Sequence, residues 1–169
     1  MTTTENHLNR LTDKFGPKLA LAEIFDKNRI RLRVGIDDLV KVMQFIAIEL
    51  DFTTLESITG VDWVTHFEVV YHCDRWDGDP TIIQVHVKVE DRENPAIPTI
   101  SSIWGSANWH EREVYDLFGI KIENHPNLKR ILLPEEWDEY EHKHISTLHP
   151  MRRDYQLPEK QYEYKPQPK

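Results

Sequence analysis

The sequence predicts an α+β fold, a two-layer domain with helices on one face of a mixed or antiparallel sheet, and three observations carry that reading. Ile83, Val85, Val87 and Val89 alternate with Gln84, His86, Lys88 and Glu90, the period of a strand with one face buried and one face wet. Leu39, Val42, Met43, Ile46, Ala47 and Leu50 recur at the spacing of one helix face, a stripe that needs a sheet to lie on. The segments run helix, two strands, helix, three strands, an order that favours α+β over strict βα alternation. With 169 residues, 39% of them hydrophobic, the chain is long enough for one domain with its own core.

Taken in order, Leu8, Leu11 and Phe15 mark a short helix that Gly16-Pro17 stops. Lys18 to Ile24 and Arg29 to Val34 alternate around Asp26-Lys27-Asn28 and predict a hairpin. Asp37 is placed to cap the helix that carries the Leu39 to Leu50 stripe. Three strands follow, Thr53 to Asp62, Phe67 to Cys73 and Thr81 to Glu90, the last two separated by the turn Asp77-Gly78-Asp79-Pro80. Asp91 to Pro98 reads as a polar link. No internal repeat is present.

The run from Trp109 to Leu133 mixes charge and apolar bulk more densely than a solvated helix needs. Ser106 or Asn108 is a candidate N-cap, Glu111 a capping-box partner for Asn108, and Gly119 the stop. At 3.6 residues per turn Ala107, Val114, Leu117 and Phe118 share one face, with Trp109, Arg112, Glu113 and Asp116 opposite. Glu111 falls inside the apolar stripe, so its carboxylate must find a cation or backbone N–H groups there, or shift its pKa. Glu123 to Asn127 is a turn, and Leu128 to Leu133 sets Lys129 and Arg130 against an apolar run closed by Pro134. Trp109 and Arg112 are of the residue types that anchor interfaces.

Glu111-Arg112-Glu113, Asp116-Leu117-Phe118, His125 and Lys129-Arg130-Ile131-Leu132, followed by Pro134-Glu135-Glu136-Trp137 and by His149-Pro150-Met151-Arg152-Arg153-Asp154-Tyr155, resemble in order and spacing the signature of the C-subunit family of respiratory complex I, also called the 30-kilodalton subunit. Met151 and Arg153 stand where that family usually has Leu and Lys, and Asp138 to Leu148 is a charged insertion in place of a short Gly-containing link. The resemblance implies a peripheral-arm subunit of a quinone-type oxidoreductase coupled to ion translocation, carried on the cytoplasmic face of the cell membrane. It implies contacts with the hydrogenase-like D subunit that helps form the quinone site, the iron–sulfur B subunit and the ferredoxin-like I subunit. Trp109, Glu111, Arg112, Glu113, Asp116, Phe118, His125, Lys129, Arg130, Arg152, Arg153 and Asp154 are then the signature and interface residues. Relatives of that family include archaeal deazaflavin-linked dehydrogenases, and nothing in the sequence selects the electron donor.

Composition agrees with a non-catalytic, cofactor-free role for the chain. Cys73 is its single cysteine, so neither an internal disulfide nor a four-cysteine iron–sulfur cluster can be built from it, and clusters and quinone are expected in partner subunits. Six glycines form no GxGxxG or GxxxxGK element. A net charge of −8 opposes nucleic-acid binding. No apolar run reaches membrane-spanning length, and Met1 to Asn9 is too polar for a signal peptide, so membrane association is expected only through the complex. His142, His144 and His149, with Glu139 and Glu141, are the one His-rich cluster and define the alternative, a stand-alone metal-dependent enzyme, but their spacing suits no compact tetrahedral site. A second alternative is a general scaffolding module. His110 and His125 have no visible nucleophile beside them, which favours structural hydrogen bonding over acid–base work. The domain is expected to span 1–133 and a segment packing on partner subunits 134–169. Within that segment Gln156 to Lys169 has three prolines and no core of its own.

Overall fold

The computed structural model describes residues 2–134, 137 and 149–156. The first helix, α1 (Thr3–Phe15), opens with a reciprocal cap, in which Thr2 Oγ1 accepts from the Glu5 N–H and Glu5 Oε2 accepts from the Thr2 N–H. Its inner face buries His7, Leu11 and Phe15. Strands β1 (Leu19–Asp26) and β2 (Arg29–Val34) form the antiparallel hairpin expected around residues 26–28. Helix α2 (Leu39–Gln44) runs into a π-turn, Phe45–Glu49, and the stripe Leu39, Val42, Met43, Ile46 and Leu50 is buried as its periodicity requires.

Strands β3 (Thr54–Asp62), β4 (Phe67–Asp74) and β5 (Ile82–Val89) complete a five-stranded sheet of order β1-β2-β5-β4-β3. The sheet is mixed, because β2 and β5 pair in parallel at its centre while the other neighbours are antiparallel. Leu32, Val34, Val69, Tyr71, Val85 and Val87 project from one face into the core, while Arg31, Arg33, His72, Gln84, His86 and Lys88 lie on the other.

Two elements run against expectation. Asp37 does not cap α2; a 3₁₀ turn, Ile36–Asp38, precedes it and no side chain caps either piece, while Asp38 accepts from Lys18 Nζ at 2.5 Å. The 91–98 stretch is not wholly a link, since β6 (Ala96–Pro98) pairs in parallel with β7 (Lys121–Glu123) on the far side of α3 (Ala107–Phe118). Ile120 and Ile122 alternate at β7, but strands this short and this distant in sequence leave no trace of their pairing.

Candidate functional site

Helix α3 lies on β3, where the Phe118 ring sits so close over Gly60 that a Cβ there would approach it to 2.6 Å. Gly119 ends the helix at φ +72°, the left-handed stop its position predicts. The proposed capping box is absent: Ser106 is the N-cap residue without a side-chain cap, its hydroxyl donating instead to the Leu55 carbonyl at 3.4 Å. Glu111 is turned inward, away from Asn108.

The second face of α3 is not a solvated polar face. Residues 128–133 fold back over it and bury Arg112 and Asp116. The Asp116 carboxylate accepts from Arg130 Nη1 at 2.8 Å and from the backbone N–H groups of Ile131, Leu132 and Leu133 at 3.1, 2.8 and 2.9 Å. Burial alone would raise its pKa, but these N–H groups and Arg130 outweigh burial and hold the carboxyl below its usual range. Arg112 completes the wrap with a two-pronged grip, Nε to the Lys129 carbonyl at 3.0 Å and Nη2 to the Arg130 carbonyl at 2.9 Å, its guanidinium 5.2 Å from the Trp109 ring. The charges of Arg112, Asp116 and Arg130 therefore shape the chain that carries them.

Glu111 is fully buried. Its carboxylate accepts from the Ile100 N–H at 2.6 Å and the Thr99 hydroxyl at 2.5 Å, and burial outweighs both bonds and raises its pKa. His125 lies 3.7 Å away, yet its ring is otherwise engaged: Nε2 sits 3.1 Å from the Asn108 carbonyl, to which only an N–H can bond, and Nδ1 accepts from the Asn127 N–H at 3.1 Å. That pattern accounts for His125 as a brace for the loop. The Tyr71 phenol is buried in the core, and its pKa is pushed well up by desolvation and by the Glu111 carboxylate.

The closing segment returns to the same domain. His149 Nδ1 donates to the Asp116 carbonyl at 2.9 Å, the Met151 N–H donates to the Leu117 carbonyl at 3.1 Å, and Arg152 Nη2 donates to the Arg92 carbonyl at 2.8 Å. The Arg153 N–H donates to Asp62 Oδ2 at 2.9 Å, and the same carboxylate takes both terminal nitrogens of Arg92 at 2.5 and 3.1 Å and the Val64 N–H at 2.7 Å. Burial would raise the Asp62 pKa, but the Arg92 hydrogen bond, with the Arg153 and Val64 N–H groups, lowers it to about 2. Arg92 and Arg152 also stack on Phe67, at 4.4 and 4.8 Å from its centroid. Residues 149–155 are thus bonded to the body of the domain.

The structure brings Glu111, Arg112, Asp116, Phe118, His125, Arg130, Arg152 and Arg153 into one connected region. Trp109, Glu113 and Lys129 remain on its surface, and Asp154 sits 3.5 Å from Arg152 and 3.7 Å from Arg92. Of the proposed histidine cluster, His142 and His144 lie outside the described residues. His149 is spent on a backbone carbonyl, with its pKa lowered chiefly by desolvation. Among the described residues no set of three His, Cys, Asp or Glu side chains is placed to hold a metal. Asp62, Arg92 and Thr99 were not anticipated. Asp62 has a local signal, an Asp two residues before a turn amide, but its pairing with Arg92 spans thirty residues and has none.

Residues 32–161 match the family described as "Respiratory-chain NADH dehydrogenase, 30 Kd subunit". The chain is 34% identical over 155 residues to the C subunit of F(420)H(2) dehydrogenase from Methanosarcina mazei, covering 88% of this chain and 89% of that one. It is 32% identical over 162 residues to the C subunit of NADH-quinone oxidoreductase from Geobacter metallireducens, covering 93% and 92%. Against the corresponding C subunit from Roseiflexus the identity is 41% over 113 residues, 64% of this chain, which spans 58% of that longer relative. Among solved structures, a chain of the archaeal membrane-bound sulfane sulfur reductase superposes with a TM-score of 0.73 at 25% identity, over 90% of this chain and 85% of that one. A trypsin-resistant fragment of Nqo5 superposes with 0.61 at 32% identity, over 73% and 98%.

Proposed function

The chain belongs to the respiratory-chain NADH dehydrogenase 30-kilodalton subunit family, and on that premise we propose that it is a cofactor-free structural subunit of the peripheral arm of a complex I-like oxidoreductase. The observation that carries this is the use the fold makes of the signature. Arg112, Asp116, Arg130 and Arg153 are bonded to this chain's own backbone and carboxylates, so they fix a surface on which Trp109, Leu132 and Met151 are more than half exposed. Large apolar side chains on a rigid, polar-braced frame are anchors for a neighbour. The neighbours we propose are the hydrogenase-like D subunit, the iron–sulfur B subunit and the ferredoxin-like I subunit, with quinone and clusters held there. The chain's contribution is to hold their separation fixed while electrons pass to quinone and ions are moved.

Relatives that the chain spans almost fully carry names with different electron donors, F420H2 and NADH. This supports placing electron input on another polypeptide. No helix among the described residues is long and apolar enough to cross a membrane, which suits attachment to the cytoplasmic face through partners. Deleting the chain from its host and adding it back tests the role. The expected result is loss of the membrane-bound assembly and of its quinone reduction, with the partner subunits still synthesised, and recovery on complementation. Assembly and turnover at the wild-type rate without the chain would overturn it.

A further inference from the structure

The turn between β3 and β4 holds two side chains that the fold does not need where they are. Val64 has φ +71°, the left-handed region that a β-branched residue adopts only under strain, and its N–H is held there by Asp62. Its side chain nevertheless faces solvent, 56% exposed, beside Trp63 at 52%. Glycine or asparagine at 64 would relieve the backbone without emptying the core.

Trp63 is exposed but fixed. Its Nε1 donates to Glu68 Oε2 at 3.1 Å and its ring stacks on His66, with centroids 6.5 Å apart and planes 21° from parallel. Behind it lies a cleft of about 310 Å³ lined by Arg33, His66, Glu68 and Lys88. The Glu68 carboxylate is occupied by Trp63 and, at 3.2 Å, by His86, leaving the half-exposed Arg33 guanidinium 4.0 Å from it. Arg153, tied to the same turn by its backbone N–H on Asp62, is exposed, and its side chain has no ion pair among the described residues.

We propose that this turn is a docking knob for an acidic segment of a neighbouring protein subunit, whose apolar side chains cover Trp63 and Val64 while its carboxylates meet Arg33 and Arg153. The inference rests on the reading of the chain as a subunit of a larger assembly. Charge complementarity selects the occupant. In an isologous contact of this turn with itself, a second copy would set Arg33 and Arg153 near their own counterparts.

The test uses the full chain in the complex isolated with mild detergent. With a benzophenone-bearing phenylalanine analogue in place of Val64, illumination should join position 64 to an Asp- or Glu-bearing segment of another subunit, identified by mass spectrometry. Arg33→Gln, which removes the cation without setting a second carboxylate beside Glu68, should weaken retention of the chain about tenfold or more at low salt, and Val64→Gly should weaken it as well. The thermal midpoint of the free chain should stay unchanged in the first variant and unchanged or raised in the second, which separates docking from folding. Cross-linking to a second copy, or full retention of both variants while the wild-type chain co-purifies with its partners, overturns the docking knob alone. A wild-type chain that co-purifies with no other subunit overturns the subunit reading and the knob with it.

Discussion

Replacing Asp62 with asparagine should remove the tie between the β3–β4 turn, Arg92 and the closing segment, and the size of the loss follows from one carboxylate. Asp62 is 5% exposed and its pKa is lowered from 3.8 to about 2. At about 1.4 kcal/mol per pKa unit, the charged form stabilises the fold by roughly 2–3 kcal/mol at neutral pH. A group whose folded pKa is depressed contributes fully above its unfolded pKa and loses that contribution as pH falls through the folded one. The effect is therefore complete above about pH 5, shrinks between about pH 4 and pH 2, and is gone below. For a chain of this size the Asp62→Asn variant should unfold roughly 5–10 °C lower at pH 7. Thermal unfolding of both full-length chains from pH 7 to pH 2, followed by circular dichroism, measures it. A gap that keeps its size across that range would refute the reasoning, because the charge would then not be its source.

Four further outcomes follow from the same geometry. Asp116→Ala should cost about 3–5 kcal/mol, since it strands the part-buried 131–133 amides and takes a carboxylate away from Arg130; a loss below about 1 kcal/mol in denaturant unfolding would contradict that. Glu111→Gln should be nearly neutral at pH 7. The Glu111 pKa is raised by burial, so stability falls as pH climbs from the unfolded carboxylate pKa through the folded one, and the variant's stability curve should lack that fall. Gly60→Ala should destabilise by about 2 kcal/mol or more through collision with Phe118, and Phe118→Leu in the same chain should recover part of the loss; strict additivity in a double-mutant cycle would count against the packing. Deleting Gln156 to Lys169 should leave the thermal midpoint of the chain unchanged while lowering its yield in the purified complex, and the opposite pattern would assign the tail to the core.

The parts of the fold set by local periodicity were legible. The alternation of β5, the stripe of α2 and the hairpin at residues 26–28 each depend on neighbours in sequence, and each stands where it was expected. Glu111 was also legible as an anomaly, because a carboxylate inside an apolar stripe must be satisfied, and the Ile100 N–H satisfies it. The burial of Arg112 and Asp116 was not. A helical wheel reports one apolar stripe, whereas here a returning loop supplies a second, polar lining made of backbone carbonyls and amides that no side-chain pattern records. Asp37 failed as a cap for a similar reason. The 3₁₀ turn before α2 satisfies the first amides through backbone carbonyls, with the Asp38 N–H donating to the Gly35 carbonyl at 3.1 Å. The signature residues were located from resemblance, and the structure bonds Arg112, Asp116 and Arg130 inward, to this chain's own backbone and carboxylates.

The most direct measurement is to extract native membranes in mild detergent, separate the intact complexes, and determine which polypeptides and how much iron accompany this chain, before and after the chain is dissociated. The account predicts that the chain migrates with a hydrogenase-like and a cluster-bearing subunit, that it is colourless once released, and that all the iron stays with the other subunits. A chain that is recovered without those subunits, or that keeps iron and visible absorbance when isolated, would contradict it.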